Sequence, residues 1–493
     1  MITEHLPILQ VVLPLLAAPL CLLLRRPRRC WWLSLIVSAT TLVTAATLMS
    51  MVRDGGPITY YLGSWAVPWG IEYRIDMLNS LVLLIVSGIS TVVLLFSRSS
   101  LDHEVKRNRQ YIYYTAWMLC LCGLLGMGAT GDLFNIFVFL EISSLSMYLM
   151  IALGRERQAL TAAFSYLVMG TIGATFFIIG IALLYALTGT LNLVDMANRL
   201  AQIEDSRTVL TAYAFIILGM GIKAAVFPLH WWLPNAYRYA PTSATALLAG
   251  TATKVAVYLI VRFVYDLFGE DFSFTSVHMT EVLLAAGVAA SLFMSAVAVF
   301  QDDVKKLFAY SSVAQVGYMV IGISLASVTG VTATLLHLFN HAIIKSALFM
   351  ALGAAFVRTG GFRLEHIQGM GRYMPWTMAA LLIAGLSLVG IPLTAGFVSK
   401  WYLILAAIEQ DYLWLAAAVV ASSLLAVAYV WRIVEAGYFK PVPESIGERR
   451  EAGPGLLIPL WMLVVANVYF GIETSLPVGA ASDAAETLLG PLQ

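Results

Sequence analysis

The feature that most constrains this chain is a run of about 20 apolar residues that recurs, almost without pause, along its length. Inside a bilayer every backbone N–H and C=O must be satisfied within its own segment, so such runs fold as helices. The strand-length alternation of a membrane barrel is absent from the pattern. Fourteen candidate spans are found, near residues 6–24, 31–52, 75–97, 111–130, 132–153, 162–188, 208–232, 242–265, 279–300, 307–325, 330–357, 374–408, 412–434 and 454–474. Charged residues make up 12% of the chain, half of the roughly 25% usual in soluble proteins. The 493 residues therefore read as an all-α polytopic membrane protein, not as a string of soluble domains.

The cations test the count. Twenty Lys and Arg fall in loops after odd-numbered spans, among them Arg25–Arg29, Arg98–Arg109, Arg155, Arg157, Arg238, Lys305, Lys306, Arg358, Arg363, Arg372, Arg432, Lys440, Arg449 and Arg450. Four (Arg53, Arg74, Arg199 and Arg207) fall in loops after even-numbered spans. That bias places the odd loops in the cytoplasm and both termini outside, in the inner (cytoplasmic) membrane of a cell. The N-terminus lacks a basic leader and a small-residue cleavage site ahead of the arginines, so the first span is expected to be retained. Residues 53–74 and 189–207 are the longer external connections, and the latter can form a short surface helix from Leu193. The tail after Glu473 reads as small and polar, without a lateral helix. Cys21, Cys30, Cys120 and Cys122 form no C-x-x-C pair, and no cofactor or metal pattern is found. No phosphate-cradling glycine loop is present, which disfavours an ATP-driven pump. The lipid bilayer is the partner that composition dictates; nothing points to nucleic acid.

Five cations lie inside spans: Lys223, Lys254, Arg262, Lys345 and Lys400. A lysine at the centre of a membrane helix costs about 2.5–3.5 kcal/mol on insertion scales, so several in one chain need a reason. Lys223 precedes Pro228, which removes a backbone hydrogen bond and opens the seventh span. Freed backbone groups at that depth are tolerated where they are buried in protein or line a wet cavity. Lys400 follows Gly390, Pro392 and Gly396 in an overlong twelfth span, so helices 7 and 12 are both expected to be broken beside a lysine. The two features lie five spans apart. Five is odd, so a repeated five-span unit would be inverted, as in many secondary transporters. This divides the chain into 1–110, a first repeat at 111–270, a second at 278–440, and 452–493.

On the eleventh span His337, His341 and Lys345 are spaced by four and four, and share one helix face. A lysine is unwelcome at a metal site, whereas histidine titrates near neutral pH and suits a proton relay. Lys254 lies at similar depth on the eighth span, and Glu141 sits mid-way along the fifth, as a relay group or as a structural carboxylate. Asp132 reads as a helix cap and His230 as an interfacial histidine. Arg262 is expected to snorkel outward, and Glu435 to pair with Arg432.

The runs GDLFNIFVFLEISSLSMYL, IKAAVFPLHWWLPNAYRYAPTSATALLAGTATKVAVY, DDVKKLFAYSSVAQVGYM and HLFNHAIIKSALF resemble the proton-translocating antiporter-like subunits. That family spans respiratory NADH:quinone oxidoreductase, membrane-bound hydrogenases and Mrp-type cation/proton antiporters. DLFN-x-FVF-x-E with APTSATALLAG, and a lysine on the twelfth span, are most similar to the Mrp D subunit. The resemblance implies that Glu141 pairs with Lys223, that Lys254, His337 and His341 continue a proton path, and that Lys400 gates its far end. It does not settle Lys345. Gln315 stands where some relatives carry histidine.

The resulting expectation is a subunit of a multisubunit monovalent cation/proton antiporter, working beside other small hydrophobic subunits. It would move protons against a cation, with sodium favoured, and would be a transporter subunit more than an enzyme. The alternative is a proton-pumping membrane subunit of a redox complex, a translocase subunit in enzyme terms. A non-transporting scaffold and the proton module of a bicarbonate-uptake system complete the set.

Overall fold

The structure is a computed structural model, which describes residues 2–203, 206–442 and 450–490. Thirteen helices among the described residues are long and apolar enough to cross a membrane. The place of the twelfth span is taken by two helices, Pro375–Val389 and Ala395–Glu409, of 15 residues each. Each alone is about 22 Å long and too short to cross a hydrocarbon core of about 30 Å; the two together suffice. The protein is thus a multi-pass helical membrane protein with the expected span order.

Both expected breaks are present. The seventh span is helical over Arg207–Ala224, turns at Ala225 in the left-handed region (φ 58°), and resumes as Leu233–Tyr239. The indole of Trp232 donates at 2.9 Å to the buried carbonyl of Ile222, which also accepts from the Ala225 amide, so a side chain helps satisfy the helix end. A third break was not expected: the eighth span is divided at Thr251 into Thr242–Gly250 and Ala252–Arg262.

The hydrogen bonds between loops test the alternation of sides. Arg238, after the seventh span, pairs with Glu156 after the fifth (2.9 Å) and with Asp303 after the ninth. Asp303 bridges to Arg363 after the eleventh, and Arg432 after the thirteenth pairs with Asp302 at 2.8 Å. Opposite them, Glu72 after the second span accepts from Asn192 after the sixth at 2.6 Å. Gly131, after the fourth, donates to the carbonyl of Glu72. Odd loops meet odd loops and even loops meet even loops, as an unbroken alternation of crossings requires.

The eighth and eleventh spans, which carry Lys254, His337, His341 and Lys345, are among the most enclosed. The apolar windows of the eighth and tenth spans are 94% buried, that of the fourth 89% and that of the eleventh 78%, against 39% for the first, second, sixth, ninth and thirteenth. The outer spans surround and shield the inner ones. The fourth packs on the fifth and the sixth on the seventh; in the second half the ninth packs on the tenth and the eleventh on the twelfth, the same pairings five spans on.

Several local expectations are corrected. Residues 53–74 hold a hairpin edge, Ile58–Tyr61 antiparallel to Glu72–Ile75. The tail is helical over Ser475–Leu489 and packs on the eleventh and third spans, because Pro477, Ala480, Ala481, Ala484 and Ala485 make one buried face. Arg262 is held near the C-terminal end of the eighth span by ion pairs with Asp76 and Asp266. Glu435 faces Lys440 at 3.8 Å, because Arg432 is already bound to Asp302 and to the carbonyls of Val299 and Gln301. Asp132 does cap its helix, accepting from the Asn135 amide at 2.7 Å, and Leu193–Leu200 is the short helix expected there. In that helix a hydrogen bond from Arg199 holds the Asp195 carboxyl below the usual carboxylate range. Arg449 lies outside the described residues.

Candidate functional site

Lys223 is the penultimate residue of its helix, where the partial negative charge of unpaired carbonyls favours a cation. Its Nζ donates to Ser144 Oγ at 2.7 Å and to the Tyr148 hydroxyl at 3.4 Å, and lies 3.9 Å from Glu141 Oε1. Glu141, Ser144 and Tyr148 stand at i, i+3 and i+7 on Leu133–Ala152 and so present one face to the lysine. Tyr148 meets Tyr166 edge-on, with centroids 4.7 Å apart. Tyr166 in turn stacks on Trp232 at 3.9 Å. Trp232 comes from the segment beyond the break, so the interrupted helix supplies the wall that holds this aromatic column.

A cavity of 20 Å³ adjoins Lys223, Ser143 and Ser144 on one side and Ala252 and Ala256 of the eighth span on the other. A single water needs about 10–15 Å³ by this measure, so the space holds one. Lys254, on the same helix, donates to the carbonyl of Ala249 and to Thr253 Oγ1 at 3.2 Å. The break at Thr251 is what leaves the Ala249 carbonyl free to accept it.

The second half holds a denser cluster. His337 and His341 stack with centroids 5.7 Å apart and planes 8° from parallel. His337 Nδ1 lies 2.9 Å from Ser399 Oγ. The ring of Tyr318 meets His337 edge-on at 5.5 Å and lies 5.0 Å from Lys400 Nζ. Lys400 Nζ donates to the carbonyls of Leu388 (3.0 Å) and Val389 (2.9 Å) and to Ser423 Oγ (3.0 Å). Lys345 donates to the Phe308 carbonyl at 2.9 Å and to Ser311 Oγ. Lys254, Lys345 and Lys400 are the charged neighbours of both imidazoles.

Lys254 and Lys345 are 1% and 0% exposed, which rules out snorkelling as the account of either. His337 Nε2, both ring nitrogens of His341, Asn340 Oδ1 and Gln315 Nε2 are buried without a protein partner. Leaving such an atom unpaired costs about 1–3 kcal/mol, so a row of them marks a polar interior that water or a travelling proton can use. Nothing here binds Glu141 and Lys223 directly to the second cluster: the fifth and seventh spans hold one, the tenth to thirteenth the other, and the eighth lies between.

The chain has relatives among known proteins. A family model described as "NADH:quinone oxidoreductase/Mrp antiporter, TM" matches residues 130–426, more than half of the chain. The chain belongs to this family. It is 39% identical over 485 residues to a protein of Desulforudis audaxviator named NADH-quinone oxidoreductase subunit N, covering 95% of this chain and 96% of that one. It is 30% identical over 490 residues to the D-type subunit of a Na(+)/H(+) antiporter from Bacillus subtilis (98% and 97%). It superposes on a chain of the Mrp complex from Dietzia sp. DQ12-45-1b with a TM-score of 0.90 at 27% identity (100% and 98%).

Within this oxidoreductase/antiporter family fold, several site residues went unnoticed in the sequence. Ser144 and Tyr148 share Glu141's face and could have been found by helical spacing. Tyr166, Trp232, Tyr318, Ser399 and Ser423 come from other helices, and no local pattern announces them. His230, expected as an interfacial histidine, is buried beside Phe227 and Trp231, with Nδ1 unpartnered.

Proposed function

We propose that the chain is a D-type membrane subunit of a multisubunit monovalent cation/proton antiporter, and that it conducts protons along Glu141, Lys223, Lys254, His337, His341, Lys345 and Lys400. The carrying observation is the Glu141–Lys223 pair, 3.9 Å apart, continued by buried lysines and by histidines whose ring nitrogens lack protein partners. Protonatable groups in series suit a relay in which one group's change of charge alters the next group's hold on its proton. Glu141 is the most open member, its side chain 28% exposed, and serves as the loading end. Residues 111–270 and 278–440 act as two inverted five-span units, each with its own broken helix. Both termini lie outside the cell membrane, sodium is the favoured exchanged cation, and small hydrophobic subunits complete the assembly.

Sodium/proton exchange in membrane vesicles tests the reading: Glu141→Ala or Lys223→Ala collapses it in a complex that still assembles. Exchange retained by either variant refutes the path. The 39% identity to an oxidoreductase subunit favours a second reading, in which the same axis is driven by redox chemistry on other chains. Co-purified iron–sulfur and flavin proteins would establish that reading; small hydrophobic subunits support the first.

A further inference from the structure

The two broken spans present their lysines to different chemistry. Lys223 meets two hydroxyls and a carboxylate; Lys400 meets two main-chain carbonyls, one hydroxyl and an aromatic face. Among the described residues no carboxylate lies within 4 Å of Lys400, so its partners are all neutral oxygens and a ring.

The break creates those partners. Gly390 takes φ 93°, a left-handed conformation that glycine adopts without strain, and ends the helix Pro375–Val389. The amides of Gly390 and Ile391 turn back to Leu386 and Ser387. Pro392 has no N–H to offer to Leu388. The carbonyls of Leu388 and Val389 are therefore left without backbone donors, at the negative end of the helix dipole. A Cβ on residue 390 would stand 2.9 Å from Lys400 Cδ, so the glycine also lets the lysine stem reach them. Three acceptors match the three N–H groups of an ammonium, and the ring of Tyr318 adds its negative face.

Carbonyl and hydroxyl oxygens at a helix break are also the ligands of a small alkali cation. We propose that the Leu388, Val389 and Ser423 oxygens form a monovalent-cation site that the Lys400 ammonium and a sodium ion occupy in turn. One N–H bond of the ammonium breaks, its proton leaves to water, and the neutral amine withdraws. The sodium ion exchanges part of its hydration shell for the three oxygens. One positive charge replaces another, so the cradle sees the same field in both states, and mutual repulsion forbids both at once. This deepens the antiport reading and rests on it: the exchange occurs at one point in the chain.

The test uses the purified complex with all its subunits, in unbuffered detergent with a pH dye, and NaCl against choline chloride. Native protein releases protons on sodium addition. Ser423→Ala raises the half-saturating sodium about tenfold, the effect of one lost polar ligand. Lys400→Met abolishes the sodium-dependent proton release from this site yet still binds ²²Na⁺, now independently of pH. The exposed control Thr47→Ala changes neither. Where Ser423→Ala fails to assemble, Ser423→Cys gives the same comparison. Sodium binding unchanged by Ser423→Ala, or by Ser423→Cys where it takes its place, overturns the site. Vesicle exchange measured in parallel separates the failures. Exchange that ignores Ser423 leaves antiport standing without this site, whereas no exchange but cradle-dependent binding leaves the site standing without antiport.

Discussion

Gly170 offers the sharpest test of the geometry around Lys223, because it touches neither proton nor cation. A methyl group built there would sit 1.9 Å from the Tyr148 hydroxyl oxygen, 2.9 Å from its Cζ and 3.3 Å from Lys223 Nζ. Ordinary contact begins near 3.5 Å, so the hydroxyl has to retreat by about 1.5 Å. It has little room, since Tyr148 is wedged against Tyr166, which is stacked on Trp232. Overpacking of this kind costs about 1–3 kcal/mol of stability. The functional loss is larger in proportion. A displacement of about 1 Å in a reacting geometry can cost about a hundredfold in rate, and here both the 3.4 Å hydrogen bond and the setting of Nζ are disturbed. Gly170→Ala is therefore expected to lower sodium/proton exchange by about ten- to a hundredfold, measured by dye quenching in vesicles and normalised to assembled complex. Gly173→Ala, one turn along the same face, is the control. Its methyl meets the Gly219 carbonyl at 3.1 Å and Ile222 at 3.2 Å, contacts relieved by a few tenths of an ångström and involving neither the Tyr148 hydroxyl nor Lys223 Nζ. Exchange is expected to survive there. Native exchange by Gly170→Ala at native assembly would show that the Tyr148–Lys223 geometry has no part in transport.

Three further outcomes are expected. Lys345→Met removes the amine bound to Phe308 and Ser311; exchange should fall at least tenfold, and an unchanged rate in vesicles would take Lys345 off the path. Glu104 accepts from Ser100 and from both the amide and hydroxyl of Thr242, at 2.5, 2.7 and 2.8 Å, and so anchors the start of the eighth span. Glu104→Gln should cost about 1.5–3 kcal/mol, seen as a lower melting temperature of the purified complex. Arg238→Gln severs both Glu156 and Asp303 and should destabilise by about 1–3 kcal/mol, whereas Glu156→Gln, on an exposed carboxylate, should cost less than about 1 kcal/mol in the same assay.

Much of this protein is a consequence of hydropathy and loop charge alone. The number and order of crossings, the alternation of sides and the breaks beside Pro228 and Pro392 follow from local rules, because lipid forces each segment to satisfy its own backbone. The identities of the buried lysines and histidines are equally local, since any charge in so apolar a run stands out. What those charges touch is not local. Asp76 captures Arg262 from the start of the third span, Trp232 walls the Lys223 site across a break, and Ser423 reaches Lys400 from a different helix. The break at Thr251 lacks a proline to announce it, and the hairpin at 58–75 is too short for its alternation to register. The sequence by itself determined where polar groups would enter the membrane, since burial in lipid is decided one segment at a time. The carboxylate beside Lys223 was the one the resemblance implied. Only the tertiary structure decided that Lys400 faces carbonyls, because a partner is set by which helices pack together.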